Sequence, residues 1–388
     1  MKTKVGLVGC GNISDIYIEN ARRFANYEIV ACADAVPGRA REKAERHAIP
    51  RATRLEEMLH DPEVEIVLNL TNPQSHASVD LAALESGKHV YSEKPFATSL
   101  EEGQRIRELA ASRQLTVGCA PDTFLGGRLQ TLRALLDEGA IGEPVAAFAS
   151  MVCHGHESWH PGPEFYYKAG AGPLFDMGPY YLTALVSLLG PARRVSGVAR
   201  ASFPRRTIGS APLKGHTIEV EVPTHVSGSI EFDCGTIVTL VLSFDVWDST
   251  LPRLEIWGAA GALAIEDADP LAGPNVFGGF THLRRPQEAD WNGFPAALPR
   301  KERASPWRAI PPRFPYNENA RGVGLADMVE AICSGRRPRA DATMALHVLE
   351  IIEGLLRSAE RGMAYVLTST CERPLPLAAD VREFTFNS

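Results

Sequence analysis

Over the first 120 residues, short apolar runs alternate with amphipathic stretches. Val5-Gly6-Leu7-Val8 is a continuous apolar run, the pattern of a parallel strand covered on both faces. Ile13, Ile16, Tyr17 and Phe24 then recur at helical spacing. Residues 28–33 form a second apolar run, 38–47 a charged helix-favouring stretch, and 65–70 a third run. Residues 75–85 predict a helix, with Gly87 where a helix end wants a positive φ. Residues 89–91 predict the next strand. Ser99-x-x-Glu102 predicts a capping box opening a helix through residue 112, and 116–119 another strand. Regular β-α-β alternation predicts a doubly wound parallel sheet over residues 1–121.

After Pro121 the period changes. A helical stretch over 127–138 gives way to strand-like segments at 144–153, 195–201, 217–222, 225–232, 236–244 and 253–258. Turn residues Asp233-Cys234-Gly235 and Ala259-Ala260-Gly261 separate neighbouring runs, as in hairpins. Residues 122–388 therefore predict a second α/β domain with a mainly antiparallel sheet, closed by helices over 324–334 and 342–361. Residues 267–316 hold nine of the 28 prolines and little periodicity, and predict an irregular insertion.

Composition narrows the class. A chain of 388 residues that is 45% hydrophobic and 22% charged is globular and long enough for two domains. Lys+Arg 40 against Asp+Glu 47 leaves a net charge of −7, so neither nucleic acid nor an anionic membrane is an expected partner. No apolar run approaches the roughly 18–20 residues of a membrane helix. Seven scattered cysteines without CxxC spacing point to reduced thiols. The apolar stretch at the N-terminus stops at Gly9, too short for a signal peptide, so a cytoplasmic location is expected.

Gly9-Cys10-Gly11-Asn12-Ile13-Ser14 lies between the first strand and the first helix. Gly9 permits a tight turn, Gly11 lets the backbone approach a pyrophosphate at a positive helix N-terminus, and Ser14 is small enough for close helix–strand packing. The alternative is a plain strand-to-helix turn. Asp34 ends the second strand, where a carboxylate accepts hydrogen bonds from both ribose hydroxyls and repels a 2′-phosphate. NAD is thus expected over NADP, although Arg39 and Arg41 stand nearby. Thr71-Asn72-Pro73-x-x-His76 follows the third apolar run, at the sheet end where ligands collect; it reads equally as a turn and helix cap. Glu93-Lys94-Pro95 follows another strand, placing a lysine that can polarise a hydroxyl or carbonyl beside the cofactor.

In this order, and with the continuous stretch from Ala83 to Ala97 (ALESGKHVYSEKPFA), the motifs resemble the Gfo/Idh/MocA oxidoreductases, which include glucose–fructose oxidoreductase and inositol dehydrogenases. Residues 135–144 (LLDEGAIGEP) and 170–182 (GAGPLFDMGPYYL) resemble the family's next landmarks. The resemblance implies an N-terminal Rossmann domain and a C-terminal domain with a large open sheet. That sheet's outer face would mediate a homodimer or homotetramer, and the site would lie between the domains. It also implies that Lys94 is catalytic and that Gly9, Gly11, Asn12, Ile13, Asp34, Thr71, Asn72, Pro73, His76, Glu93 and Lys94 serve the cofactor. In the family's DxGxHxxD segment, Asp176 matches the substrate-binding aspartate, but Tyr180 stands in place of the histidine and Thr183 in place of the last aspartate. Tyr180 resembles members that use tyrosine for proton transfer. A phenol with an ordinary pKa of about 10 is a poor base, and a nearby Lys94 ammonium would favour its phenolate. The alternative is a packed core tyrosine.

His154-Gly155-His156-Glu157-Ser158-Trp159-His160 is rich in ligand types, but Gly155 and Pro161 predict a loop and no HxxxH or cysteine partner supports a metal. Its position just before Asp176 predicts a carbohydrate pocket: Trp159 stacking on a sugar face, His156 and His160 bonding hydroxyls, Tyr166 and Tyr167 alongside. A rigid aromatic loop is the alternative. Asp122 and Thr123, after the strand over 116–119, are read either as substrate contacts or as an interdomain turn, with Asn319 and Arg321 as weaker pocket candidates.

The expectation is an NAD-dependent oxidoreductase acting on a secondary hydroxyl of a sugar, glycoside or polyol. In this reading Lys94 and Tyr180 handle proton transfer and polarisation, while Asp176 binds substrate. An NAD-dependent glycoside hydrolase, working by transient oxidation and elimination, is the alternative. The presence of Lys94 and Asp176 argues against a non-enzymatic dinucleotide sensor.

Overall fold

The computed structural model describes residues 2–265, 273–285, 307–378 and 380–385. The first sheet is built from β1 (Thr3–Val8), β2 (Tyr27–Ala33), β3 (Arg51–Thr53), β4 (Ile66–Asn69), β5 (His89–Ser92) and β6 (Val117–Cys119), all parallel, in the order β3-β2-β1-β4-β5-β6. Its continuous apolar runs follow from burial on both faces: Ile66, Val67, Leu68 and Asn69 are all inaccessible to solvent. Helices α1 (Ser14–Ala21), α2 (Arg39–His47), α3 (Leu55–His60), α4 (Pro73–Glu85) and α5 (Leu100–Arg113) make the crossovers. β3 and α3 are too short to show a period, and the sequence does not announce them. Ser99 caps α5 through the Glu102 N–H at 3.3 Å, but the Glu102 carboxylate turns to the Thr98 N–H and hydroxyl instead, so only half the predicted capping box forms.

α6 (Gly127–Asp137) leads into the second domain. There α7 (Gly172–Asp176) and α8 (Gly178–Leu189) lie between β7 (Pro144–Val152) and β8 (Ala192–Arg200). Among the described residues β9 (Arg205–Thr207) and β10 (Thr217–Glu219) pair only with each other, so the strand predicted over 217–222 forms a small outlying ribbon. Next come β11 (His225–Phe232), β12 (Ile237–Ser243), β13 (Leu254–Gly258), β14 (Gly261–Ile265), β15 (Thr281–Arg284) and β16 (Arg308–Ile310). α9 (Val323–Ser334), α10 (Ala342–Arg361) and β17 (Tyr365–Val366) close the order. The nine-stranded sheet runs β16-β15-β14-β13-β7-β12-β11-β8-β17, antiparallel except for the central β7–β12 pair. Both predicted hairpins form, β11–β12 and β13–β14.

The stretch 267–316 is not wholly an excursion: β15 and β16, too short to show a period, extend the sheet and bury Thr281, Leu283 and Ile310, while 267–272 and 286–306 lie outside the described residues. Period-two alternation buries Val238, Leu240 and Leu242 of β12, while α7 packs on β12 and α10 on β8. α10 also ties the two domains together: Glu353 accepts the Leu100 N–H at 2.5 Å, and the Cys119 N–H bonds Ala340 O at 2.9 Å just before this helix.

Asp80 on α4 is fully buried. Asn69 Nδ2 donates to its Oδ1 at 2.7 Å, and the Ser92 hydroxyl lies beside it. Burial pushes this carboxyl up to about 7. Because the folded value is raised, the group's stabilisation is complete below the unfolded value of about 4 and is lost as pH climbs through about 7. Asp80→Asn, neutral throughout, is therefore expected to gain stability over wild type by on the order of a few kcal/mol between about pH 4 and about pH 8 in urea unfolding. Parallel pH curves for the two chains would refute this.

Candidate functional site

In the 3-2-1-4-5-6 order, strand direction of growth reverses between β1 and β4, and a crevice opens beyond their carboxyl ends. The turn after β1 forms one wall. Gly9 has φ +97°, and a Cβ there would fall 2.5 Å from Leu70 O, at the end of β4. Gly11 has open space where a Cβ would stand. Ser14 does more than stay small: its hydroxyl donates to Gly11 O at 2.6 Å, pinning the turn to the start of α1. Asp34 accepts the Cys10 N–H at 2.8 Å and the Val36 N–H at 2.7 Å, so it also ties this turn to β2. A carboxylate keeps lone pairs for further donors after two such bonds.

A cleft of about 890 Å³ runs from this turn to the second domain. Gly9, Gly11, Asn12, Ile13 and Asp34 line it, as do Thr71, Asn72 and Pro73 at the N-terminus of α4. Glu93 and Lys94 line its middle, and His160, Tyr166, Asp176 and Tyr180 its far end. Open space at Gly11, a thirteen-residue helix starting at Pro73 and a carboxylate at the β2 end fit a dinucleotide.

At the domain junction Lys94 Nζ donates to Asp176 Oδ1 at 2.9 Å and to Asp176 O at 2.8 Å. Both side chains are mostly buried, 16% and 17% exposed. The peptide bond Lys94–Pro95 is cis. Burial alone would lower the Lys94 pKa, but Asp176, Tyr180 and Glu93 together hold it above the ordinary lysine value. Burial would raise Asp176, yet Lys94 and His156 hold it well below the ordinary carboxylate range. The pair is therefore ionised at neutral pH. Lys94 Nζ stands 5.1 Å from the centre of the Tyr180 ring, and the phenol oxygen receives its hydrogen bond from Arg321 Nη2 at 3.4 Å. Asp176 ends α7 and Tyr180 opens α8, so the two face one cleft across a helix break at Met177 rather than along one helix.

His160 Nδ1 accepts the Gly162 N–H at 3.1 Å, and burial lowers its pKa. The ring is then neutral and Nε2 carries the proton, a donor at the cleft's far end.

Several expected contacts are corrected. His76 is buried behind the wall, its ring set between Pro95 O (2.7 Å) and Thr71 O (3.1 Å), to either of which its one N–H donates; it packs between two cleft loops and does not line the cleft. His156 is buried beneath Asp176, with Nε2 on Oδ2 at 3.1 Å, and supports that carboxylate instead of lining the cleft. Trp159 is 59% exposed and lies outside the lining, edge-on to His156 and His160. Asp122 is buried and accepts the Gly322 and Gly324 N–H groups at 2.8 and 3.2 Å, with burial pushing it up to about 6; Thr123 is buried beside it, and neither borders the cleft. Their position at the sheet's ligand end is right, but the chain folds back over them.

Glu157 is held by Arg206 Nη1 at 2.8 Å and by the Tyr167 hydroxyl, and Arg206 also pairs with Asp245. This braces the 154–167 loop. Among the described residues no group of three or more His, Cys, Asp or Glu side chains is arranged to hold a metal ion. The sequence missed Arg206, 49 residues from Glu157 with no local signal, and underrated Arg321.

Residues 3–120 match the oxidoreductase family described as having an NAD-binding Rossmann fold, and residues 129–264 match the GFO/IDH/MocA C-terminal domain. Inositol 2-dehydrogenase of Salmonella typhimurium is 32% identical over 154 residues, 37% of this chain and 44% of that protein. Trans-1,2-dihydrobenzene-1,2-diol dehydrogenase of Bos taurus is 30% identical over 208 residues, 52% of this chain and 60% of that protein. The chain thus spans about half the length of the curated relatives it matches. The solved complex of levoglucosan dehydrogenase with NADH and levoglucosan superposes with a TM-score of 0.76 at 21% identity, covering 95% of this chain and all of that one, a likeness of fold. With matches that follow one another through both domains, the chain belongs to the Gfo/Idh/MocA family of oxidoreductases.

Proposed function

We propose that this protein is an NAD-dependent oxidoreductase that exchanges hydride with a secondary hydroxyl carbon of a neutral sugar or polyol. The observation that carries this reading is the ionised Lys94–Asp176 pair beside Tyr180 in a cleft continuous with the Gly9–Gly11 turn. The names of the relatives, among them inositol and dihydrodiol dehydrogenases, support the substrate class.

Bound NAD supplies the hydride acceptor. Lys94 spends two of its three N–H donors on Asp176 and keeps one for a substrate oxygen, which it polarises. Tyr180 Oη exchanges the hydroxyl proton. His160 Nε2–H donates to a neighbouring hydroxyl, and Phe165 and Tyr166, both at the cleft, offer ring faces to sugar C–H groups. Asp34 favours the free ribose hydroxyls of NAD over a 2′-phosphate. The outer face of the nine-stranded sheet leaves Val198, Ile237, Trp257 and Val366 exposed, which supports assembly as a homodimer or homotetramer through that face.

Two experiments test this. Gly9→Ala should lower the melting temperature outright, because Leu70 O blocks its Cβ. Gly11→Val should melt like wild type yet lose the stabilisation that NAD confers, since its side chain enters open space where cofactor would lie. Equal NAD stabilisation in Gly11→Val and wild type would remove the cofactor assignment.

The second is NADH formation across a panel of sugars and polyols. Lys94→Ala and Tyr180→Phe should each lower kcat/KM by about 10²–10⁴-fold, and Asp34→Ala should narrow the preference for NAD over NADP by about tenfold. Undiminished turnover in Lys94→Ala would reject its role. Release of aglycone from aryl glycosides without NADH accumulation would replace net oxidoreduction by hydrolysis.

A further inference from the structure

We propose that Arg321 is a catalytic residue of this site, its guanidinium being the cation that serves the Tyr180 phenol oxygen during proton exchange, a duty that the sequence pattern assigns to Lys94. The proposal rests on the reading of Tyr180 given above and extends it to the chain segment 319–324.

The geometry separates the two cations. Arg321 Nη2 donates to Tyr180 Oη at 3.4 Å, whereas Lys94 Nζ lies 5.1 Å from the ring centre with two hydrogen bonds committed to Asp176. The Lys94 ammonium is shared with the Asp176 carboxylate at 2.9 Å, so of the two cations it is Arg321 that bonds the phenol oxygen. A guanidinium keeps its charge at any pH a protein tolerates and can only donate, so it stabilises negative charge as that charge builds on the phenol oxygen.

The placement of Arg321 is built from both domains. Its Nη1 donates to Asn319 Oδ1 at 2.8 Å. Asn20, a buried amide on α1, donates through Nδ2 to the main-chain oxygens of Asn319 at 2.8 Å and Arg321 at 2.9 Å. Asp122 holds the next residue through the Gly322 N–H at 2.8 Å. Gly322 has φ +99°, and a Cβ on it would fall 2.6 Å from Tyr27 Oη, so the turn that presents Arg321 requires glycine. Asn20 and Asp122, two buried polar residues with no place in the cleft, thus share one task.

The charged and titratable groups around Tyr180 are Lys94, Asp176, Tyr166 and Arg321; those around Arg321 are Tyr180, Glu93, Tyr17 and Asp122. Burial works to lower the Arg321 pKa, and Tyr180 and Glu93 reverse that, keeping it above the ordinary value. Glu93 is itself fixed by the Tyr17 hydroxyl at 2.8 Å and the Lys94 N–H at 2.9 Å.

The test is steady-state kinetics of the full chain with NADH and an oxidised polyol, read beside the thermal stabilisation that NAD confers. In Arg321→Met kcat should fall about tenfold to a hundredfold with KM less affected, while the stabilisation by NAD is retained. Arg321→Lys, which keeps a cation, should restore most of kcat. Arg321→Gln, which can still bond Asn319, replaces Met if that variant fails to fold. An active wild type with equal kcat in Arg321→Met would overturn this proposal alone, and so would a loss that Arg321→Lys leaves unrepaired. A folded wild type that binds NAD but turns over no polyol would reject the proposed function and this proposal with it.

Discussion

A lysine from the end of one sheet and an aspartate from a helix of the other domain meet at 2.9 Å in a mostly buried junction, and the cleft depends on that meeting. Taking two charges out of water is costly, and their mutual attraction repays it only when the geometry is good and the remaining lone pairs are filled. Both conditions hold. Asp176 is bonded on Oδ1 by Lys94 and on Oδ2 by His156, and its main-chain oxygen takes a second Lys94 N–H. Losing one partner from such a pair typically costs roughly 3–5 kcal/mol, because the other is left buried and alone. The pair thus works as a positional lock: it fixes the Lys94 ammonium against both the cofactor crevice and the mouth of α8.

The rest of the architecture keeps that lock from being pulled apart. His76 bridges the loops after β4 and β5 from behind, and α10 with the residues before it binds the first sheet's edge at Cys119 and the start of α5 at Leu100. The 154–167 loop is held by Arg206 against the end of β12 through Glu157, Phe244 O and Asp245. His76, Asp122 and His156, buried polar groups that look from sequence like ligand contacts, instead keep loops in register through bonds to Pro95, Gly322 and Asp176.

That division explains what was legible beforehand. The parallel sheet, the glycine turn, Asp34, Lys94, Asp176 and the hairpins are encoded locally, by apolar runs, short motifs and turn residues, and they stand where the pattern puts them. What local pattern does not carry is which face of a loop is covered. Asp122 sits at the ligand end of the sheet, but the Gly322–Gly324 turn, 200 residues on, closes over it. His156 is two residues from His154 and four from His160, yet only the Asp176 carboxylate, 20 residues later, decides that it points inward. Arg321 looks like any surface arginine until Asn20, about 300 residues earlier, is seen to hold its backbone. β15 and β16 join a sheet edge with three or four residues each, too short a run for the buried Thr281, Leu283 and Ile310 to stand out as a period in the sequence.

Charge pairing at the far end of the cleft also bears on what can enter it. Lys94 is neutralised by Asp176, Arg321 faces the Tyr180 phenol, and Arg206 is shared between Glu157 and Asp245. The lining there adds a neutral His160, and Glu93 stands beside Lys94, so among the described lining residues no cation without a partner faces the far end. The arginines that do line the cleft, Arg39 and Arg54, belong with Asp34 and Leu55 at the nucleotide end. A phosphate or carboxylate on the substrate would lose its hydration at the far end without gaining a counter-ion, a desolvation cost with no repayment. Hydroxyl groups meet the opposite situation: a lysine N–H, an imidazole N–H, a carboxylate and a phenol are spaced around ring faces, which supports the proposal of an uncharged substrate.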